Sequence, residues 1–358
     1  MFDRRSFLRA SFDAAAIPLA FGSAFAEPVE HPAPARVAIT LDLEMSREYP
    51  RPEDTHWDYE KGNLDAATKA YAVEAARLVE SAGGRIHFFA LGRTMEQPDV
   101  EWLRGIAAAG HPIGNHSYDH VNVHATRAED LQHRFRRSPW LIEGKSCETV
   151  IRENIALSKK ALESRLGIRV SGFRTPGGSY EGLRARPDLQ RLILELGYRW
   201  VSSLYPPHAS LKRGEPITDT VLDAIAAVQT KAQPFVYDSG LVEVPMSPIS
   251  DVTAFRAQGW KLDAFLEAVR RSMRRVIADR AVFDFLAHPS CLVHTDPEFR
   301  TIRAICEIVR QSEGRPSSRI SMRSLEGRSL EAEVRPPGGG IFGPETLARS
   351  QSSNWTGS

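Results

Sequence analysis

The chain has 358 residues, 42% of them hydrophobic and 25% charged, enough apolar material for one large globular domain. Lys and Arg number 46 against 45 Asp and Glu, a net charge of +1. A surface so balanced offers no electrostatic footing for nucleic acid or an anionic membrane, and neither is expected as a partner. From the N-terminus, Asp3-Arg4-Arg5-Ser6-Phe7-Leu8-Arg9, apolar Ala14–Phe25 and the small residues of Ala24-Phe25-Ala26 read as a twin-arginine export signal over 1–26. The apolar stretch is too short for stable membrane insertion. The export machinery is thus an expected partner, and the periplasm or cell envelope the expected location. A Pro-rich linker follows at 27–35.

Strands and helices then alternate. Strands are expected at 37–43, 85–91, 111–115, 170–173, 198–202, 241–244, 281–286 and 319–322. Helices are expected at 66–81, closed by Gly83-Gly84, and at 99–109, 147–166, 187–196, 262–278 and 297–310. Two stretches, 48–63 with Trp57 and Tyr59, and the long Pro-rich 204–239, read as loop insertions. After about 330 the chain turns to Pro, Gly and Ser, and 331–358 reads as a disordered tail. The alternation implies a parallel sheet, open or closed into a barrel, spanning 36–330. Cys147, Cys291 and Cys306 form no C-x-x-C, so free thiols are the default, with one disulfide an alternative in an oxidising compartment.

The residues able to do chemistry fall at strand C-terminal ends, where βα-barrels place their sites. His116 and His120 are four apart, a spacing that lets both imidazoles reach one metal from a helical turn or a tight loop. Asp42 and Glu44 lie two apart on one strand face, so both point at the same cavity and repel each other unless a cation intervenes. Two histidines and one carboxylate with an open position describe a catalytic rather than structural zinc-type site. Arg174 precedes Pro176 and Gly177-Gly178, an unusual turn, and His288 stands before Pro289.

Four pieces in this order carry a family resemblance: Thr40-Leu41-Asp42-Leu43-Glu44, His116-Ser117-Tyr118-Asp119-His120, Arg174-Thr175-Pro176-Gly177-Gly178 and Leu286-Ala287-His288. They resemble the first, second, third and fifth motifs of the polysaccharide deacetylases, the NodB-homology group of carbohydrate esterases (family 4), in the branch whose first motif ends Asp-x-Glu. The resemblance runs from about Val37 to about Leu325 and implies a single-domain α/β fold, a distorted (β/α)7–8 barrel. It implies Glu44, His116 and His120 as ligands of a divalent metal, Zn2+ first, with Co2+ or Ni2+ as alternatives. It makes Asp42 the general base toward metal-bound water and Arg174 the residue holding Asp42. Gly177 N–H shares the oxyanion with the metal, and His288 is the general acid. The reaction implied is hydrolysis of an N-acetyl group on an amino sugar of a poly- or oligosaccharide; O-deacetylation uses the same groups. The fourth motif, Asp-x-x-Asp-Trp, is not found; in the nearest stretch Asp251 is the candidate for the aspartate that tunes His288. Two other readings stand beside this one. One is a different C–N hydrolase on the same scaffold, allantoinase-like and acting on a small cyclic amide. The other is a glycan-binding protein without chemistry, against which the intact Asp42, Arg174 and His288 argue.

Overall fold

The computed structural model describes residues 35–208, 211–313 and 320–322. The export signal, the linker up to residue 34 and the tail lie outside the described residues. The strands are β1 (Ala35–Leu43), β2 (Ile86–Ala90), β3 (Ile113–Asn115), β4 (Phe173–Ser179), β5 (Trp200–Leu204), β6 (Phe235–Val236), β7 (Val242–Glu243), β8 (Val282–Ala287) and β9 (Ile320–Met322). They form one sheet in the order β6-β7-β5-β4-β3-β2-β1-β8, with β9 on β1. Every pairing is parallel except β6 with β7. Past β7 the chain bonds in both directions. Val244 N–H donates to Val201 O at 2.8 Å and Met246 N–H to Leu204 O at 2.9 Å, while Ser247 N–H donates to Asp284 O at 2.8 Å. Residues 244–247 therefore bridge β5 and β8 and curl the sheet into the distorted (β/α) barrel that the sequence implies.

Period-two alternation sorts the strand side chains. On β1, Val37, Ile39, Leu41 and Leu43 join the core shared with the helices, whereas Ala38 packs with Phe89, Trp200, Val242 and Val244 in a separate cluster. Thr40 and Asp42 follow Ala38 on that second face, so the cluster is an apolar floor beneath a polar layer. Helices cover the outer face with residues at helical spacing. In Ala66–Ser81 the buried residues are Thr68, Tyr71, Ala72, Ala75, Ala76 and Val79, and Asp65 caps the start by accepting from Thr68 N–H.

Three expectations change. The stretch 204–239 is not merely a loop: Asp219–Lys231 is a helix capped by Thr218, burying Leu222, Ile225, Ala226 and Gln229. It is the helix that follows β5, hidden in the sequence by prolines on both flanks. The strand expected at 170–173 instead runs Phe173–Ser179, through Pro176, because β4 pairs with β5 at Phe173, Arg174 and Ser179 and is irregular between them. After β8 come two helices, Pro289–Thr295 and Arg300–Glu313, where one was expected. Asp296 separates them and caps the second, accepting from Arg300 and Thr301 N–H at 2.7 Å each.

Candidate active site

The polar layer centres on a fully buried guanidinium. Arg174 Nη1 donates to Asp42 Oδ1 at 2.9 Å and to Thr40 Oγ1 at 2.8 Å; Nη2 donates to Asp284 Oδ2 at 2.7 Å. Ser202 Oγ accepts from the same group, and the guanidinium carbon lies 4.3 Å from the Phe89 ring centre. Strand β4 carries the cation, and it is held by Thr40 and Asp42 of β1, Ser202 of β5 and Asp284 of β8. The consequence lies at Asp42: Oδ1 is spent on Arg174, while Oδ2 faces His116 Nε2 at 3.8 Å and His288 Nε2 at 3.9 Å.

One residue past β1, Glu44 meets both histidines of the H-x-x-x-H segment. Its Oε2 lies 2.6 Å from His120 Nε2 and 3.5 Å from His116 Nε2. The segment is a loop, not a helical turn. Ser117 and His120 take left-handed backbone angles, φ 62° and 63°. Asn115 Oδ1 accepts from Ser117 N–H at 2.7 Å, and Ser117 Oγ accepts from Val121 N–H at 3.1 Å. These local bonds let the sequence wind both imidazoles inward without a helix. His116 Nδ1–H donates to Arg174 O at 3.0 Å, which fixes the tautomer with a free lone pair on Nε2.

Two observations show that these three residues suit a metal ion. Glu44 Oε2 is buried and makes no regular hydrogen bond, although His120 Nε2 lies 2.6 Å away. In and around the cluster, buried Asp42, Glu44, Asp251 and Asp284 stand beside Lys61 and Arg174, the two buried Lys or Arg side chains among the described residues. The carboxyl groups outnumber the cations, an excess that favours a bound cation. One donor atom from each of Glu44, His116 and His120 lies within 4.8 Å of the other two. Burial pushes the His120 imidazole down to about 4, although Glu44 beside it works the other way. His120 is therefore a neutral donor at pH 7. Burial alone would raise the Glu44 carboxyl, but His120 and Lys61 outweigh it and hold it well below the usual carboxylate range.

Across the cavity, His288 follows β8. Its Nδ1–H donates to Asp251 Oδ1 at 2.8 Å, and its backbone N–H to Asp251 Oδ2 at 2.7 Å. Asp251 thereby occupies the place that the missing fourth motif left open. Burial disfavours the His288 imidazolium, but Asp251, then Asp42 and Glu44, overcome it and raise the pKa. Nε2 faces Asp42 and Glu44. Gly177 is exposed, with φ 65°, in the turn that closes the Arg174 motif. No atom crowds the space where a Cβ would stand, so left-handed backbone rather than close packing is what calls for glycine there.

Of the seven residues singled out from the sequence, Asp42, Glu44, His116, His120, Arg174 and His288 come together in one cluster, and Gly177 lies three residues beyond Arg174. Lys61, Asp284, Thr40 and Ser202 were not among them. Asp284, Thr40 and Ser202 sit at inward strand positions that look like ordinary buried polar residues until the strands are aligned. Lys61 lies inside a polar insertion, where lysines are expected at the surface. Trp260 is buried in the core, whereas Tyr180, three residues past Gly177, is 59% exposed. Cys147, Cys291 and Cys306 are free thiols. No helix among the described residues is long and apolar enough to cross a membrane.

A curled, mostly parallel sheet with these polar side chains at its C-terminal rim defines an α/β-barrel scaffold. Residues 61–199 match the family model described as polysaccharide deacetylase. In fold, the chain is similar to a putative polysaccharide deacetylase from Mycobacterium smegmatis, with a TM-score of 0.53 and 18% identity over 89% of this chain and 98% of that one. It is similar to the Puue allantoinase, with a TM-score of 0.54 and 14% identity over 90% and 97%. It is also similar to a probable polysaccharide deacetylase from Pseudomonas aeruginosa PAO1, with a TM-score of 0.53 and 13% identity over 83% and 89%. No curated protein matches the chain. The family resemblance read from the motifs is therefore shown over residues 61–199, and a deacetylase family implies a hydrolase acting on carbon–nitrogen bonds.

Proposed function

We propose that this protein is a divalent-cation-dependent deacetylase that removes N-acetyl groups, and O-acetyl groups by the same chemistry, from an amino-sugar-containing glycan of the cell envelope. The observation that carries the reading is the pairing of two differently tuned groups across one cluster. Asp42 is bonded to Arg174 through Oδ1 alone, and His288 is held by Asp251 with its pKa raised. Glu44, His116 and His120 would hold the cation. When bound, it polarises the scissile carbonyl and makes a water more acidic. Asp42 Oδ2, its partner oxygen fixed by Arg174, accepts the proton of the attacking water. The Gly177 N–H is assigned to the oxygen on which negative charge develops, since no Cβ obstructs approach to it. His288 Nε2 donates a proton to the departing amine, while the Nδ1–H bond to Asp251 keeps the ring in the acting orientation.

A second reading, opening of a small cyclic amide, draws on the fold likeness to the Puue allantoinase. One experiment separates the two. The purified protein, metal-stripped and then loaded with Zn2+, Co2+ or Ni2+, is assayed for acetate release from chitooligosaccharides, peptidoglycan and poly-N-acetylglucosamine, and for ring opening of allantoin. Acetate release that requires metal supports the proposal; ring opening without acetate release overturns it in favour of the second reading.

A further inference from the structure

The end of β1 carries a feature that the reaction scheme does not use. Lys61 Nζ is bonded to Glu44 Oε1 at 3.2 Å and to Met45 O at 3.4 Å, with only 9% of its side chain exposed. Its backbone carbonyl accepts from Met45 N–H at 2.8 Å, so residue 61 is zipped to the strand end. The next residue must be small: a Cβ on Gly62 would lie 2.6 Å from Arg93 Cβ and 3.0 Å from Thr94 N. Gln97 Nε2 then ties down Asn63 Oδ1 and Leu64 O, at 2.9 Å each. This is a built position, not a surface lysine that happens to fold inward. A buried ammonium is costly unless paired, and its carboxylate partner here is the one carboxylate of the candidate metal cluster.

We propose that Lys61 sets the affinity of the cation site. Its ammonium takes one oxygen of Glu44, leaves Oε2 to the cation, and repels that cation, keeping the site exchangeable. The proposal rests on the reading of Glu44, His116 and His120 as metal ligands. A unit charge and a dication on the two oxygens of one carboxylate repel, even with bulk-water screening, by enough to change affinity on the order of tenfold.

Zn2+ binding to the full chain is measured by competition with a chromophoric chelator, for the wild type, Lys61→Met, Lys61→Arg and His116→Ala. Lys61→Met should bind at least about tenfold more tightly than wild type, and Lys61→Arg, which keeps the charge, within about threefold of it. Affinity unchanged or weakened in Lys61→Met overturns the proposal. A wild type that binds no Zn2+ beside a Lys61→Met that does, with binding lost again on adding His116→Ala, supports Lys61 as the opposing cation and overturns the metal-dependent reading instead. No binding in any variant overturns both. Lys61→Gln, which keeps a hydrogen-bond donor on Glu44, carries the same comparison if circular dichroism shows that Lys61→Met does not fold.

Discussion

Asp42 and Glu44 are carboxylates two residues apart, yet the proposed mechanism gives them different work. Asp42 Oδ1 is engaged by Arg174 at 2.9 Å, and Oδ2 is turned to the cavity. Asparagine fits the same volume, presents its carbonyl to Arg174 and its amide to the cavity, and cannot take a proton. Asp42→Asn should therefore lower kcat by about 10²–10⁴, the usual worth of a general base. Loss of a negative charge also weakens cation binding, by on the order of tenfold, so the variant is assayed at saturating metal. Glu44→Gln removes the anionic ligand and leaves Lys61 without its counter-charge. Its defect should lie mainly in metal affinity, and excess metal should restore much of its rate. Acetate release measured across a Zn2+ titration of both variants distinguishes them. If Asp42→Asn recovers with metal and Glu44→Gln does not, base and ligand have been exchanged and the mechanism above is wrong.

Four further outcomes are expected. His87 is buried in the barrel and its pKa is pushed down to about 3 from 6.5, chiefly by burial. Its contribution is complete above pH 6.5 and is lost as pH falls toward 3, about 3 kcal/mol of it by pH 4, so urea denaturation at pH 7 and pH 4 should show a smaller loss in His87→Gln. Arg174→Met strands two buried carboxylates and should cost about 3–5 kcal/mol in the same assay; a cost below 1 kcal/mol would mean that the network is not closed as described. Asp251→Asn removes the partner that raises His288, so the basic limb of the kcat/KM profile should move to lower pH, and an unmoved limb would deny His288 the acid's role. Arg4→Lys with Arg5→Lys should retain the protein in the cytoplasm, checked by fractionation, if residues 1–26 act as a twin-arginine signal.

The architecture was legible where local physics decides it. The helix Ala66–Ser81 announces itself by periodicity, by Asp65 at its start and by Gly83 beyond its end. Strand β1 does so by an apolar run whose alternate members turn polar. Legibility failed where tertiary pairing overrides local preference. Pro176 forbids a regular strand, yet β4 runs through it because β5 supplies partners on either side of the irregularity. The helix Asp219–Lys231 was lost for the opposite reason: its own pattern is sound, but prolines on both sides gave the whole stretch the look of a loop.

The site divides along the same line. The residues proposed for the reaction come mostly in short runs, because a metal or a substrate atom must be met by groups that one loop can aim together: Asp42 with Glu44, His116 with His120, Arg174 with Gly177. The residues that tune them are single and distant. Asp284 reaches Arg174 across 110 positions, and Asp251 reaches His288 across 37. Neither distance has a sequence period, since each is set by how many strands the barrel places between the partners. What a sequence does preserve is the charge requirement. Arg174 is fully buried and needs more than one anion when its first partner is also asked to act as a base. A second inward carboxylate was therefore required on some neighbouring strand, and β8 supplies it at Asp284. The same reasoning applied to Glu44 calls for a counter-charge at the other end of the cluster, and Lys61 is the residue that the fold brings there.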